Sequence, residues 1–143
     1  MRKKESPWQT EAEIEIPFHD VDSMDITWHG HYAKYFEIAR CKLLDQIDYN
    51  YFQMRESGYA WPVIDMHIRY IQPCRFMQHI LVHVAITEYE YRLKMEYLIR
   101  DAKTGQRLSK GHTIQVAVDM AKQEMCLGSP AILFEKLGVQ PDA

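Results

Sequence analysis

Between Phe18 and His31 the chain gathers His19, Asp20, Asp22, Asp25, His29 and His31 in one short polar stretch. Carboxylates attack carbonyl carbons or take protons from water, and imidazoles transfer protons near neutral pH. The next segment is apolar at helical spacing: Tyr32, Phe36, Ala39, Leu43 and Ile47, joined by Tyr35 and Leu44, fall on one face, which predicts a long helix from Tyr32 to Ile47. The first N–H groups of a helix have no partner within it. A polar loop that ends there can therefore hold an anion or a developing oxyanion.

Other roles compete for the same residues. Asp20 and Asp25 are the types that cap turns and helix starts. His29 and His31, one residue apart with acids nearby, have a spacing that can bind a metal. An EF-hand is excluded, because Met24 falls on a ligand position, Asp25 on the required glycine and His31 on the closing glutamate. No metal is assigned.

The elements that must position this stretch can be read from the rest of the chain. With 143 residues, 47% of them apolar and 26% charged, one globular domain is expected over 1–143. The 17 basic and 20 acidic residues give a net charge of -3, and the only basic run is Arg2-Lys3-Lys4, so nucleic acid is not an expected partner. The longest apolar stretch, Ile80 to Ile86, is broken by His83 and falls far short of the roughly 20 residues of a membrane helix. No membrane span and a cytoplasmic location are expected. Cys41, Cys74 and Cys126 show no paired ligand spacing and read as buried or incidental thiols.

Five segments alternate with the period of a strand. Glu11 to Phe18 sets Ala12, Ile14, Ile16 and Phe18 against acids, after a polar stretch, Met1 to Thr10, that reads as a flexible arm or a partner-contacting tail. Trp61 to Ile71, Gln78 to Glu88, Tyr89 to Ile99 and Leu108 to Asp119 are the other four. In the last of these His112, Ile114, Val116 and Val118 form the apolar set and Ser109, Gly111, Thr113 and Gln115 the other. Tyr49 to Gly58 reads as a short helix or lid, Lys103-Thr104-Gly105 as a turn, and Ala131 to Leu137 as a short amphipathic tail behind Pro130. One apolar face per strand and one long helix to cover it imply an α+β fold, a five-stranded antiparallel sheet curled around a central helix. Such a sheet has edges to protect, which favours homo-oligomerisation.

The order of these elements, with Phe18-His19-Asp20-Val21-Asp22-Ser23-Met24, Trp28-His29-Gly30-His31-Tyr32 and Phe36-Glu37-Ile38-Ala39-Arg40, resembles the hot-dog-fold acyl-CoA thioesterases. The likeness is to the branch of 4-hydroxybenzoyl-CoA thioesterase and the Tol-Pal-associated thioesterases, and it runs over Glu11 to Asp119. Arg69-Tyr70-Ile71-Gln72-Pro73-Cys74-Arg75 is similar to the corner that comes after the family's second strand. The resemblance implies that Asp22 is the catalytic carboxylate and that backbone N–H groups near His29 or Gly30 polarise the thioester carbonyl. It implies acyl-CoA or an acyl carrier protein thioester as substrate, no cofactor beyond that coenzyme A, and a homodimer or homotetramer. His31 and Tyr32 are candidates for substrate binding, and Arg75, Arg92 and Lys94 for the phosphates of the coenzyme. The chain departs from the family at Asp25, where many members have Gly, at His31, where Asn or Ser is common, and at Gln78-His79, where the corner usually ends in Asp. Two other readings fit the same fold: a 3-hydroxyacyl dehydratase or hydratase pairing His29 or His31 with Glu37, and a non-catalytic acyl-binding protein.

Overall fold

The computed structural model describes residues 6–141. Its elements run β1 (Gln9–Glu15), α1 (Tyr32–Gln46), α2 (Tyr51–Glu56), β2 (Tyr59–Ala60), β3 (Val63–Tyr70), β4 (His79–Glu88), β5 (Leu93–Asp101), β6 (Arg107–Gln115), β7 (Val118–Asp119), β8 (Glu124–Met125) and α3 (Ala131–Leu137). Five strands form one antiparallel sheet in the order β1-β4-β5-β6-β3, and β2, β7 and β8 form a second, small one. The small sheet arises because the strand expected over Leu108 to Asp119 stops at Gln115: Val116 and Ala117 turn inward as buried residues, and Val118 and Asp119 pair with β2 and β8 instead.

α1 has 15 residues and so spans about 22 Å, close to the predicted length. It buries Tyr32, Tyr35, Phe36, Ala39, Arg40, Leu43 and Leu44. Opposite it lie Ile80, Val82, Val84 and Ile86 of β4 and Leu93, Met95, Tyr97 and Ile99 of β5, all buried, as the alternation of those strands requires. The face of β6 is reversed from expectation. Ser109, Thr113 and Gln115 are fully buried and Gly111 faces the helix, because the aromatic pair above them needs a floor that is low and can hydrogen-bond. Phe36 stacks on Tyr97 with centroids 4.2 Å apart and planes 5° from parallel, and the Tyr97 hydroxyl shares a 2.7 Å hydrogen bond with Thr113 Oγ1. A bulky residue at position 111 would occupy the space of the Phe36 ring.

Three boundaries also differ. β1 covers Gln9–Glu15, and Phe18 is exposed in a turn of 3-10 helix, not on a buried face, since Ile16 is the last residue to reach the core. Tyr89 and Tyr91 precede β5, with Tyr91 exposed in the bend between β4 and β5. Of the expected arm, Met1–Glu5 lie outside the described residues. Trp8 is anchored: its ring meets Tyr89 edge-on at 5.3 Å, its indole N–H donates to the Leu137 carbonyl at 3.2 Å, and Gln9 and Thr10 pair with β4.

Gly111→Ala tests the contact between helix and sheet. Its Cβ would lie 2.1 Å from the His67 carbonyl oxygen and 2.8 Å from the Phe36 ring. The backbone cannot yield there as a side-chain tip can, so we expect a loss of about 1–3 kcal/mol in chemical denaturation, the usual cost of overpacking.

Candidate active site

The loop between β1 and α1 is a small hairpin. Val21 bridges to Thr27, the Asp22 N–H donates to the Ile26 carbonyl at 2.9 Å, and the Asp25 N–H donates to the Asp22 carbonyl at 3.0 Å. Closing so tight a turn puts Asp25 in the left-handed region at φ 62°, which explains why glycine suits this position and why aspartate, one of the few residues that tolerate it, can replace it. The hairpin is sewn to the segment after β3: Ile26 bridges to Arg75, and the Thr27 N–H donates to the Cys74 carbonyl at 2.7 Å.

Asp20 holds the loop to the helix. It is 1% exposed, and it accepts a hydrogen bond from Lys34 Nζ and another from the Tyr35 hydroxyl, both at 2.6 Å. Its backbone carbonyl accepts the Trp28 N–H at 3.0 Å. Burial alone would raise the Asp20 pKa, but the hydrogen bonds from Lys34 and Tyr35 and the charge of Lys34 outweigh it and hold the carboxyl below the ordinary carboxylate range. The same arrangement, with burial first, pushes the Tyr35 hydroxyl upward. Neither Asp20 nor Asp25 caps α1, whose start carries no side-chain cap. Asp20 is instead a buried charge with two donors, and the sequence held its partners, Lys34 and Tyr35, on the first turn of the helix.

Asp22 points away from this clamp, into an open cleft of about 300 Å³ lined by Asp22, Thr27, Trp28, His29, Tyr32, Tyr70 and Ile71 among others. Its Oδ1 accepts the N–H of Met24 at 2.8 Å, and its other oxygen carries no partner among the described residues. Across the cleft, His29–His31 form a 3-10 turn leading into α1. The His31 N–H donates to the Trp28 carbonyl and the Tyr32 N–H to the His29 carbonyl, whereas the N–H groups of His29 and Gly30 have no acceptor among the described residues. The indole of Trp28 lies over Gly30 so closely that a Cβ there would sit 2.2 Å from the ring. Glycine is what lets that ring cover the turn.

The remaining candidates separate. His29 lines the cleft. The His31 ring turns to Asp20, with Nδ1 3.9 Å from its Oδ1, and Tyr32 offers its ring to the cleft while its hydroxyl accepts the Cys74 N–H at 3.0 Å. Arg75 is exposed at the hairpin's seam with Ile26. Arg92 pairs with Glu88 at 2.6 Å, and neither it nor Lys94 lines this cleft. Glu37, which a dehydratase would need, is exposed on α1 and does not line it either. Among the described residues no group of three or more potential ligands is placed to hold a metal. Sequence reasoning missed Tyr70: from the inner face of β3 it donates its hydroxyl to the His29 carbonyl at 2.7 Å and packs edge-on to Tyr32 at 4.8 Å. A larger depression of about 720 Å³ on the outer face of the sheet is lined by His83, Arg100, Arg107 and Lys110. No residue of a helix start lines it, which leaves the smaller cleft as the candidate site.

This fold and cleft define a hot-dog thioesterase scaffold, and the sequence agrees: residues 16–136 match the Thioesterase-like superfamily, to which the chain belongs. It is 30% identical over 80 residues to the putative acyl-CoA thioesterase YneP of Bacillus subtilis, covering 56% of this chain and 58% of that protein. It is 27% identical over 128 residues to the putative esterase sll0410 of Synechocystis, covering 89% of this chain and 77% of that one. The DHNA-CoA thioesterase of Staphylococcus aureus superposes with a TM-score of 0.76 at 24% identity, over 83% of this chain and 80% of that structure. No helix among the described residues is long and apolar enough to cross a membrane.

Asp20→Asn should fold but lose stability at neutral pH. Because the folded carboxyl titrates below the unfolded value of about 3.9, its contribution is present above that value and fades as pH falls through the folded pKa. Thermal melts from pH 7 to pH 2 should therefore converge for wild type and variant at the acid end. Parallel curves would contradict the clamp.

Proposed function

We propose that this chain hydrolyses an acyl-CoA thioester. The observation that supports this reading is that Asp22 and His29 line one cleft: among the described residues one carboxylate oxygen of Asp22 has no protein partner, and the N–H of His29, like that of Gly30 next to it, has no acceptor. A thioester carbonyl lying between them has its oxygen polarised by the N–H groups while Asp22 attacks the carbon or takes a proton from the water that does. The tetrahedral centre collapses with loss of the coenzyme thiolate: where Asp22 acts as base, the proton it took from water goes to the thiolate, and where it attacks, water then cleaves the acyl-aspartyl anhydride, releasing the acid and the proton that the thiolate takes up. Removal of one oxyanion donor in such sites costs about 100- to 1000-fold in rate. Arg75, beside the hairpin, is the cation best placed to meet a phosphate of the coenzyme. A coenzyme A thioester as substrate fits a cytoplasmic enzyme.

The same reading makes the protein a homo-oligomer built on a dimer. β3 is an edge strand eight residues long, and its Val63, Ile64 and Met66 are 38%, 57% and 39% exposed. A long apolar edge left open invites aggregation. It also ends at Tyr70, in the wall of the cleft.

Asp22→Asn keeps shape and removes charge, so turnover on a panel of short, long and aromatic acyl-CoAs should fall at least about 100-fold with the melting temperature unchanged. Near wild-type hydrolysis by this variant would refute the assignment. Binding of acyl-CoA by the wild type with no turnover on any member would favour a non-catalytic acyl-binding protein.

A further inference from the structure

We propose that the depression on the outer face of the sheet is a second binding site, which takes a phosphate ester of nucleotide size independently of the cleft that holds Asp22. Its volume of about 720 Å³ falls within the range of small-molecule pockets, and it shares no lining residue with the cleft.

A fault in the pairing of β5 with β6 builds the cationic end of this depression. Ile99 pairs with Ser109, but the next pair is Arg100 with Arg107, so Leu108 is an extra residue on β6. Leu108 and Ser109 are consequently both buried, where strict alternation would bury only one of them. Without the bulge, Arg107 would share the inward face of Ser109. With it, Arg107 joins Arg100 in the depression, directly across the strand pair, and such re-aiming of a side chain is what a bulge does. Like charges opposed across two strands destabilise the pair. Only one of the two is compensated: Arg100 pairs with Glu11 of β1, whereas the Arg107 side chain has no ion pair or hydrogen bond among the described residues. The buried Nε of Arg100 has no acceptor either.

Lys110 extends the charge. It stands opposite Leu98 of β5 in the same wall and, like Arg107, has no acidic partner among the described residues. The acids that line the depression are Glu11, held by Arg100, and Glu96. Glu96 lies four residues along β5 from Arg100, about 13 Å at the rise of a strand, so the two ends of the depression differ in charge. Leu98 and Ala85 give the space between them an apolar floor. A guanidinium fork matches phosphate oxygens and an ammonium adds a point charge, which suits the cationic end to a phosphate. Free phosphate would leave the floor uncovered, and an ester with an organic body covers it.

Titration calorimetry on the full chain at low ionic strength, with adenosine diphosphate and with inorganic pyrophosphate, tests the site. We expect one adenosine diphosphate per chain, bound at least about tenfold more tightly than pyrophosphate. Arg107→Gln and Lys110→Gln should each weaken it at least about tenfold. Lys122→Gln, which removes a charge from the turn between β7 and β8, should leave it unchanged, and the KM for acyl-CoA should not move in Arg107→Gln or Lys110→Gln. The absence of saturable binding, equal affinity for pyrophosphate, or equal weakening by Lys122→Gln would overturn the site. A KM that rises together with the dissociation constant would give the depression to the nucleotide of the substrate and overturn its independence. The titrations need no turnover, so their outcome is separate from that of the hydrolysis assay.

Discussion

The closeness of α1 to the sheet is the constraint on which the rest of the molecule depends. Phe36 can lie flat on Tyr97 only because residue 111 has no side chain, and Gly111 in turn sits against the His67 carbonyl of the neighbouring strand. This contact fixes the height of the helix above three strands at once. It also accounts for polar residues at the centre of the fold: Thr113 satisfies the buried Tyr97 hydroxyl, and the Gln115 amide donates to the Trp61 carbonyl at 2.8 Å. Thr113 and the Gln115 amide N–H are buried with partners, Ser109 Oγ is buried without one among the described residues, and a larger apolar set in β6 would lift the helix away.

A helix held at that height has its first turn fixed too, and the site is assembled by fastening the loop to it. Three attachments do this from different directions. Asp20 ties the loop to Lys34 and Tyr35 on α1, Tyr70 ties the His29 carbonyl to β3, and Cys74 accepts the Thr27 N–H at its carbonyl and donates its own N–H to the Tyr32 hydroxyl. The two aspartates of the loop thereby take opposite fates within two residues. Asp20 commits both oxygens to structure in a buried place, and Asp22, at the turn of the hairpin, keeps one oxygen without a partner among the described residues. Position on the hairpin decides this, since the two side chains are chemically identical.

Much of this was legible in the residues themselves. Strict alternation in β4 and in Leu93 to Ile99 gave both strands and their buried faces, because each turns one wholly apolar set of side chains to the core. The period of α1 gave a helix that ends within one residue of the prediction. Legibility failed where burial and polarity part company. Ser109, Thr113 and Gln115 look like a solvent face and are core, and the apolar pair Val116 and Val118 belongs to a different turn of the chain. In the loop, the family resemblance singles out Asp22, His29 and Gly30, and Asp22 and His29 line one cleft. Tyr70 could not be named, because its role comes from a hydrogen bond across 41 positions of sequence. No local spacing encodes that distance.

The edge strand explains why site and seam are so close. β3 has only one neighbour in the sheet, so its second row of backbone groups and its apolar side chains remain outside the core of one chain. A strand in that situation is costly to keep unless something else covers it. Yet the last residue of this strand, Tyr70, is also the one that fixes His29 at the start of α1, and the residues after it, Ile71 to Pro73, form the cleft wall. Whatever orders the free edge of β3 therefore orders the His29 carbonyl and the wall of the cleft as well, because Tyr70 belongs to both.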